Sequence, residues 1–225
     1  MVTCVLDTHA DAGVDTVLPA AVATLFRRGM NAGGAAESFS VQERKQRERA
    51  DRERLIVATA RELAEHHGWD AVTTRRLAER IEYSQPVLYS HFRGKREIIG
   101  AVAFEGAAEM ASAVRAAAAA ADGPRARVTA LAHAYLGFAE RNPAVHDAMF
   151  QLDGGLAFAH EDTPEPLKDA FAALLESIGE GAGGGIHPAL FTEVFWAALQ
   201  GLATLTRAGR LPPQDAERRV ELLVG

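Results

Sequence analysis

The sequence predicts an all-α chain, a small three-helix unit followed by a larger helical domain, and three observations carry that expectation. Ala and Leu are abundant, and from about Gln42 onward apolar residues recur at intervals of three and four. Gly or Pro interrupts this pattern roughly every 15 to 25 residues, while the β-branched runs that would favour strands are few. At 225 residues and 48% hydrophobic content, the chain can bury one large or two modest cores.

Residues 1–40 are rich in Ala, Gly, Thr and Asp, lack a sustained period, and end in the run Asn31 to Ala36. A disordered extension to residue 43 is expected, with Met30 an alternative start to Met1. In the first helix Ile56, Ala60, Leu63 and Ala64 recur at helical spacing, and Gly68 follows as a left-handed cap would. Ahead of them, Arg44 to Arg54 alternates in charge and reads as a solvated face, though its basic members could brush phosphates. A second helix starts after Thr73-Thr74, where a threonine hydroxyl can cap free amides, and carries Leu77, Ala78 and Ile81 inward. It ends near Glu82. Ser84 can cap a third helix with Pro86 in its first turn and Leu88 paired with Phe92 on its inner face; a fourth begins at Lys95. Beyond Glu97, breaks at Gly123-Pro124, Asn142-Pro143, Thr163-Pro164, Gly179 to Gly185 and Pro212-Pro213 divide the rest into about six helices. Ala116 to Ala121 favours helix and close packing.

Several function classes lose support at this level. Cys4 is the only cysteine, so an intrachain disulfide or a cysteine-cluster metal site cannot form, as suits the reducing cytoplasm. The apolar run Val17 to Phe26 follows Asp7, Asp11 and Asp15 and precedes Arg27 and Arg28, the reverse of a signal peptide. No stretch reaches the roughly 20 apolar residues of a membrane span, so no membrane partner is expected. The eight histidines are scattered, and the adjacent His66 and His67 face different ways, so neither metal nor cofactor is expected. With no Ser-His-Asp elbow, phosphate-cradling glycine loop or paired carboxylates, the chain does not read as an enzyme; the Gly179 to Gly185 run follows no strand and reads as a connection.

The net charge of −6 conceals a division. Residues 41–100 hold 13 basic and 10 acidic side chains, net +3, whereas residues 1–40 carry −2 and residues 101–225 carry −7. Phosphates would find attraction only in the middle segment.

That segment contains TTRRLAERIEYSQPVLYSHFRGKREI, from Thr73 to Ile98, which closely resembles the DNA-binding core of TetR-family regulators through helix, turn, recognition helix and the Tyr-x-His-Phe-x-x-Lys ending. The resemblance implies a helix-turn-helix DNA-binding domain over residues 44–100. Many relatives have a glycine in the turn, where this chain has Glu82 followed by Tyr83. A helix entering the major groove by its amino end presents the short side chains of its first turn to base edges. Gln85 is the leading base reader, since glutamine can bond adenine N6 and N7 together, although a solvated helix start explains it on composition alone. Val87 suits a thymine methyl or a core position. Ser84 and Pro86 belong to the same helix start. Tyr89 and His91 lie opposite Leu88 and Phe92 and are expected to be exposed; by resemblance they, Lys95, and Thr74 with its capped amides touch phosphates, and Arg75 reaches a base or phosphate.

Residues 101–225 are expected to form the regulatory and dimerisation domain. Phe191 to Leu211 resembles the carboxy-terminal domain of a TetR subgroup marked by Trp-x-x-x-His-Gly, with Gln200 in place of the histidine. This helix carries Leu190, Val194, Ala197, Gly201 and Leu205 on one face and Phe195, Leu199 and Leu202 on others, so it must be covered all round, in part by a second copy in a homodimer. Tyr135, Phe138, Met149, Phe150, Phe158, Phe171, Trp196 and Gln200 could line a site for a small apolar effector, though aromatic residues at helical spacing are more often core. The implied function is a repressor released from its DNA operator by that effector; the alternative is a DNA-binding dimer without one.

Overall fold

The structure is a computed structural model that describes residues 41–152, 154, 160–178 and 187–225. Every regular element among them is helical. The expected amino-terminal extension, Met30, Cys4, Phe158 and the glycine connection lie outside the described residues, except that helix already begins at Val41, ahead of the boundary expected at residue 43.

The chain packs as two units, residues 1–53 and 54–225. In the first, the described residues are the opening turns of α1 (Val41–His67), laced by Arg44–Glu48 at 3.9 Å, Arg52–Glu48 at 3.9 Å and Arg49–Glu53 at 2.9 Å. Such i,i+4 pairs support a polar helix only modestly.

In the second unit, the rest of α1 buries Ile56, Ala60, Leu63 and Ala64, as their spacing predicts. Gly68 then takes φ +76° with ψ 163°. The glycine is needed, but not as the left-handed cap expected: this extended positive-φ region is essentially closed to other residues. A single 3-10 turn, Trp69–Ala71, leads to α2 (Thr74–Arg80) and α3 (Gln85–Tyr89). The cap of α2 is Thr73, whose hydroxyl accepts from the Arg76 amide at 3.2 Å; Thr74 is the first helical residue and not the cap. Ile81, expected inward, sits at the carboxy-terminal cap and is only half-buried. Ser84 occupies the cap position of α3 but its hydroxyl makes no capping bond there.

Between α2 and α3, Glu82 has φ +57°, the only positive φ outside glycine among the described residues. A left-handed conformation costs a side-chain-bearing residue about 1–2 kcal/mol, part of which glycine returns as unfolded-state entropy. Glu82→Gly is therefore expected to raise stability by about 0.5–1 kcal/mol in thermal or urea denaturation. A loss of stability would show that the Glu82 side chain supports the turn in a way its backbone does not reveal.

The larger part is organised on α4 (Lys95–Ala119), whose buried residues run from Ile98 to Ala118 on several faces. It packs against α5 (Pro124–Arg141), α6 (Pro143–Phe150) and α7 (Glu165–Ile178). The boundary expected at residue 100 falls inside α4. At Gly106 an added Cβ would lie 2.2 Å from Val145 Cγ1, so only glycine permits α4 and α6 to approach this closely. Arg115 on α4 bridges to Asp169 at 2.7 Å and Glu176 at 3.0 Å on α7. α8 (Pro188–Arg207) lies against α5 and α7, and α9 (Ala216–Val224) packs on α5 with Val220 buried. The helix starts at Pro124, Pro143, Glu165, Pro188 and Ala216 follow the breaks read from Gly and Pro.

Candidate nucleic-acid interface and regulatory core

The helix-turn-helix is held from beneath and open above. Leu77, Leu88 and Phe92 are buried and fasten α2, α3 and the following turn to the core. That leaves Ser84, Gln85 and Pro86 exposed at the amino end of α3, with Val87 half-buried. Tyr89 is 52% exposed, and its hydroxyl lies 3.4 Å from the Thr74 hydroxyl, so the structure brings these two together. His91, expected to be exposed, is half-buried. Arg75 is exposed but pairs with Glu79 at 2.8 Å, a solvent-screened contact that a phosphate can displace.

Lys95 opens α4, yet its ammonium donates to the Trp69 carbonyl. An ammonium has three donors, so one bond inward leaves others to face outward. Glu97, in the first turn of α4, accepts from the Arg93 amide at 2.7 Å and ties the preceding turn to the helix start.

Trp69 and Glu65 form a junction that the sequence did not disclose. The Trp69 indole donates to the Ala144 carbonyl at 2.8 Å. The Glu65 carboxylate accepts from the Ala144 and Val145 amides at 3.0 and 3.2 Å, capping α6 from another helix. Pro143 contributes no N–H, and the Asn142 side chain is turned to Phe138 and Arg61, so these two free amides depend on Glu65. α6 is thus fastened at its start to the elements that hold the helix-turn-helix. At its other side Arg207 of α8 binds Asp147 and donates to the Pro143 carbonyl at 3.2 Å.

Within the carboxy-terminal part, Tyr135, Phe138 and Met149 are fully packed, whereas Phe150, Phe171, Trp196 and Gln200 are half-buried. The Tyr135 hydroxyl donates to Gln200 Oε1 at 2.7 Å and accepts from the Trp196 indole at 3.1 Å. Burial pushes the Tyr135 phenol above its ordinary range, against the Trp196 hydrogen bond. Phe150 and Phe171 flank Trp196 with ring centroids at 5.9 and 6.4 Å. His146, passed over in the sequence, joins the same Gln200 oxygen through Nε2 at 2.8 Å. An open groove of about 640 Å³ lies elsewhere, along Asp122, Arg125, Ala126, Thr129, Ala130 and His133, and none of the expected ligand residues lines it.

The predicted stripe on α8 is exposed: Leu190 57%, Val194 64% and Leu205 38%, with Ala197 exposed and Gly201 half-buried between them. A Cβ at Gly201 would meet nothing within 4 Å. By length and composition alone α8 is apolar enough to cross a membrane. Its buried Thr192, Phe195 and Leu199, and the bond from Tyr135 to Gln200, mark it instead as a packed helix with one uncovered side.

Comparison with known proteins bears on both ends of the chain. Residues 56–102 match the model for bacterial regulatory proteins of the tetR family, and residues 128–225 match a tetracyclin repressor-like carboxy-terminal domain. The class C tetracycline repressor of Escherichia coli is 48% identical over 48 residues, which span 21% of this chain and only 22% of that repressor. An HTH-type transcriptional regulator of Bacillus subtilis is 26% identical over 126 residues, 56% of this chain and 62% of its own. Among solved structures, a Rhodococcus protein of unknown function superposes with TM-score 0.64 at 25% identity, over 76% of this chain and 90% of its own. The Acinetobacter baumannii TetR Q116A variant in complex with minocycline shares the fold, with TM-score 0.56 at 20% identity over 75% and 92%.

Proposed function

We propose that this chain, a member of the tetR family of bacterial regulatory proteins, is a dimeric repressor that reads a DNA operator through α3 and releases it when a small molecule binds its carboxy-terminal domain. The observation that carries this reading is the uncovered amino end of α3, with Ser84, Gln85 and Pro86 exposed above the buried Leu88. Gln85 reads a base; Tyr89, Thr74, His91 and Lys95 hold phosphates; Arg75 exchanges Glu79 for the duplex. Residues 44–100 serve as the DNA-reading domain and residues 101–225 as the regulatory and dimerisation domain, with α4 shared between them.

The exposed stripe Leu190, Val194, Ala197, Gly201 and Leu205 supports a two-fold contact through α8, since a one-sided apolar helix is best covered by its own symmetry mate. Trp196, Gln200 and Gly201 support the subgroup reading, with the histidine replaced. Phe150, Phe171, Trp196 and Gln200 meet the effector, while the fully packed Tyr135, Phe138 and Met149 support them from behind. Their complete burial is also what favours the second reading, a dimer that responds to no effector.

The test starts with an operator selected from random duplex DNA. Gln85→Ala is expected to cost about 1–3 kcal/mol on that operator and much less on unrelated DNA. Equal losses on both would reduce Gln85 to a positioning residue. Failure to enrich any sequence would remove the operator itself.

A further inference from the structure

Among the described residues, one buried polar atom of the regulatory core has no partner, and what it requires narrows the chemistry of the effector. His146 is 1% exposed, and its Nε2 faces Gln200 Oε1 at 2.8 Å. A carboxamide oxygen only accepts, so the proton lies on Nε2. The rest of the network agrees: Tyr135 donates to that same oxygen, and Trp196 donates to Tyr135. Nδ1 is therefore left as a bare lone pair, and among the described residues it has no hydrogen-bond partner. Burial further favours the neutral ring, holding its pKa below the usual histidine value against the hydrogen bond to Gln200. Buried acceptors are rarely left unmet in a native fold, because each forgoes the bond it would make to water.

The surroundings supply the other half of the recognition. The Phe150 ring stands 5.1 Å from His146, Trp196 stands 5.9 Å from Phe150, and Phe171 meets Trp196 edge-on at 6.4 Å. All three of these rings are half-buried, so each still has surface to give. An aromatic molecule set against their free surface would meet these rings offset or edge-on, the arrangements that aromatic pairs prefer.

Resting on the effector reading above, we propose that His146 Nδ1 is the polar anchor of the effector, accepting a hydrogen bond from a neutral O–H or N–H on a small aromatic molecule held against Phe150, Phe171 and Trp196. A wholly apolar molecule would leave the lone pair unmet. A carboxylate has no proton to give and would set its charge against that lone pair. The ligand class is thus the aromatic alcohol or amide, distinct from both.

The test uses the full chain and three matched probes: naphthol, its methyl ether and naphthoate. Calorimetry is expected to show naphthol binding about ten-fold more tightly than either of the others. Long-range proton–nitrogen spectra of the histidine side chains should show the Nδ1 resonance of His146 move to that of a hydrogen-bonded acceptor on adding naphthol, and not on adding the ether. His146→Phe is expected to abolish the preference; where that variant does not fold, the wild-type spectra decide. Equal binding of naphthol and ether, binding by none of the three, or an Nδ1 resonance already shifted by a bound water and unmoved by naphthol overturns the proposal. Operator affinity measured with and without naphthol separates the two layers. If the preference holds while DNA binding is unaffected, the anchor stands and the repressor-release reading falls.

Discussion

Replacing Val194 by Arg is expected to leave the protein folded but monomeric, and to lower operator affinity by about 100-fold or more. Val194 is 64% exposed in the single chain, so the substitution removes no internal packing. In a symmetric contact through α8, however, the same change places two guanidinium groups in an apolar seam, where unpaired charge is strongly disfavoured. A monomer offers one recognition helix, and loses the avidity of roughly 10² to 10⁴ that two linked half-sites provide. Sedimentation velocity at micromolar concentration, alongside operator titration, checks both halves. A wild-type monomer would end the interface argument, as would a Val194→Arg dimer. Gly201→Leu is an informative companion, because a Cβ there meets nothing within 4 Å among the described residues of the single chain, so overpacking is expected mainly against a second copy.

The second large effect is expected at Glu65. Glu65→Ala strands the Ala144 and Val145 amides at the start of α6 and should cost about 2–4 kcal/mol in urea denaturation. Glu65→Gln keeps one accepting oxygen, and about half of the loss is expected. The partial recovery distinguishes a capping role from simple packing. If Glu65→Ala costs no more than an ordinary surface substitution, about 0.5 kcal/mol, the α6 start is satisfied otherwise and α6 is not clamped there. Because α6 also carries His146, Met149 and Phe150, it offers a covalent and hydrogen-bonded route from the proposed effector residues through the Ala144 carbonyl to Trp69, and from Trp69 to Lys95. An effector that shifts α6 by differential binding would bias the helix-turn-helix through it, and DNA would oppose the effector reciprocally.

How much of this was legible beforehand depended on whether the cause was local. Helix starts and stops follow from proline, glycine and threonine within a few residues of each break, so the starts at Pro124 and Pro143 could be read directly from their breaks. The inward faces of α1 and α3 likewise follow from spacing, because a helix repeats every 3.6 residues whatever surrounds it. The stripe on α8 was visible for the same reason. Glu82 was recognisable as the wrong residue for its turn, although only the backbone showed it at φ +57°.

Other features were decided by contacts between residues far apart in sequence, and no local pattern encodes them. Thr73 rather than Thr74 caps α2 because the register of the first turn, set by Leu77 and Ala78 packing, chose between two adjacent hydroxyls. His146 looked like one scattered histidine among eight, and its meaning rests on Gln200, 54 positions away. Glu65 carries no mark in the local sequence, and only the fold brings the two free amides of α6 to it across 79 and 80 positions. The sequence by itself therefore determined the helices, their buried faces and the helix-turn-helix that resembles a known family, since these depend on short-range periodicity and backbone chemistry. Only the tertiary structure decided which polar groups are satisfied, which are left over, and how α6 is joined to the helix-turn-helix, because hydrogen bonds act over about 3 Å and the chain must fold before such partners meet.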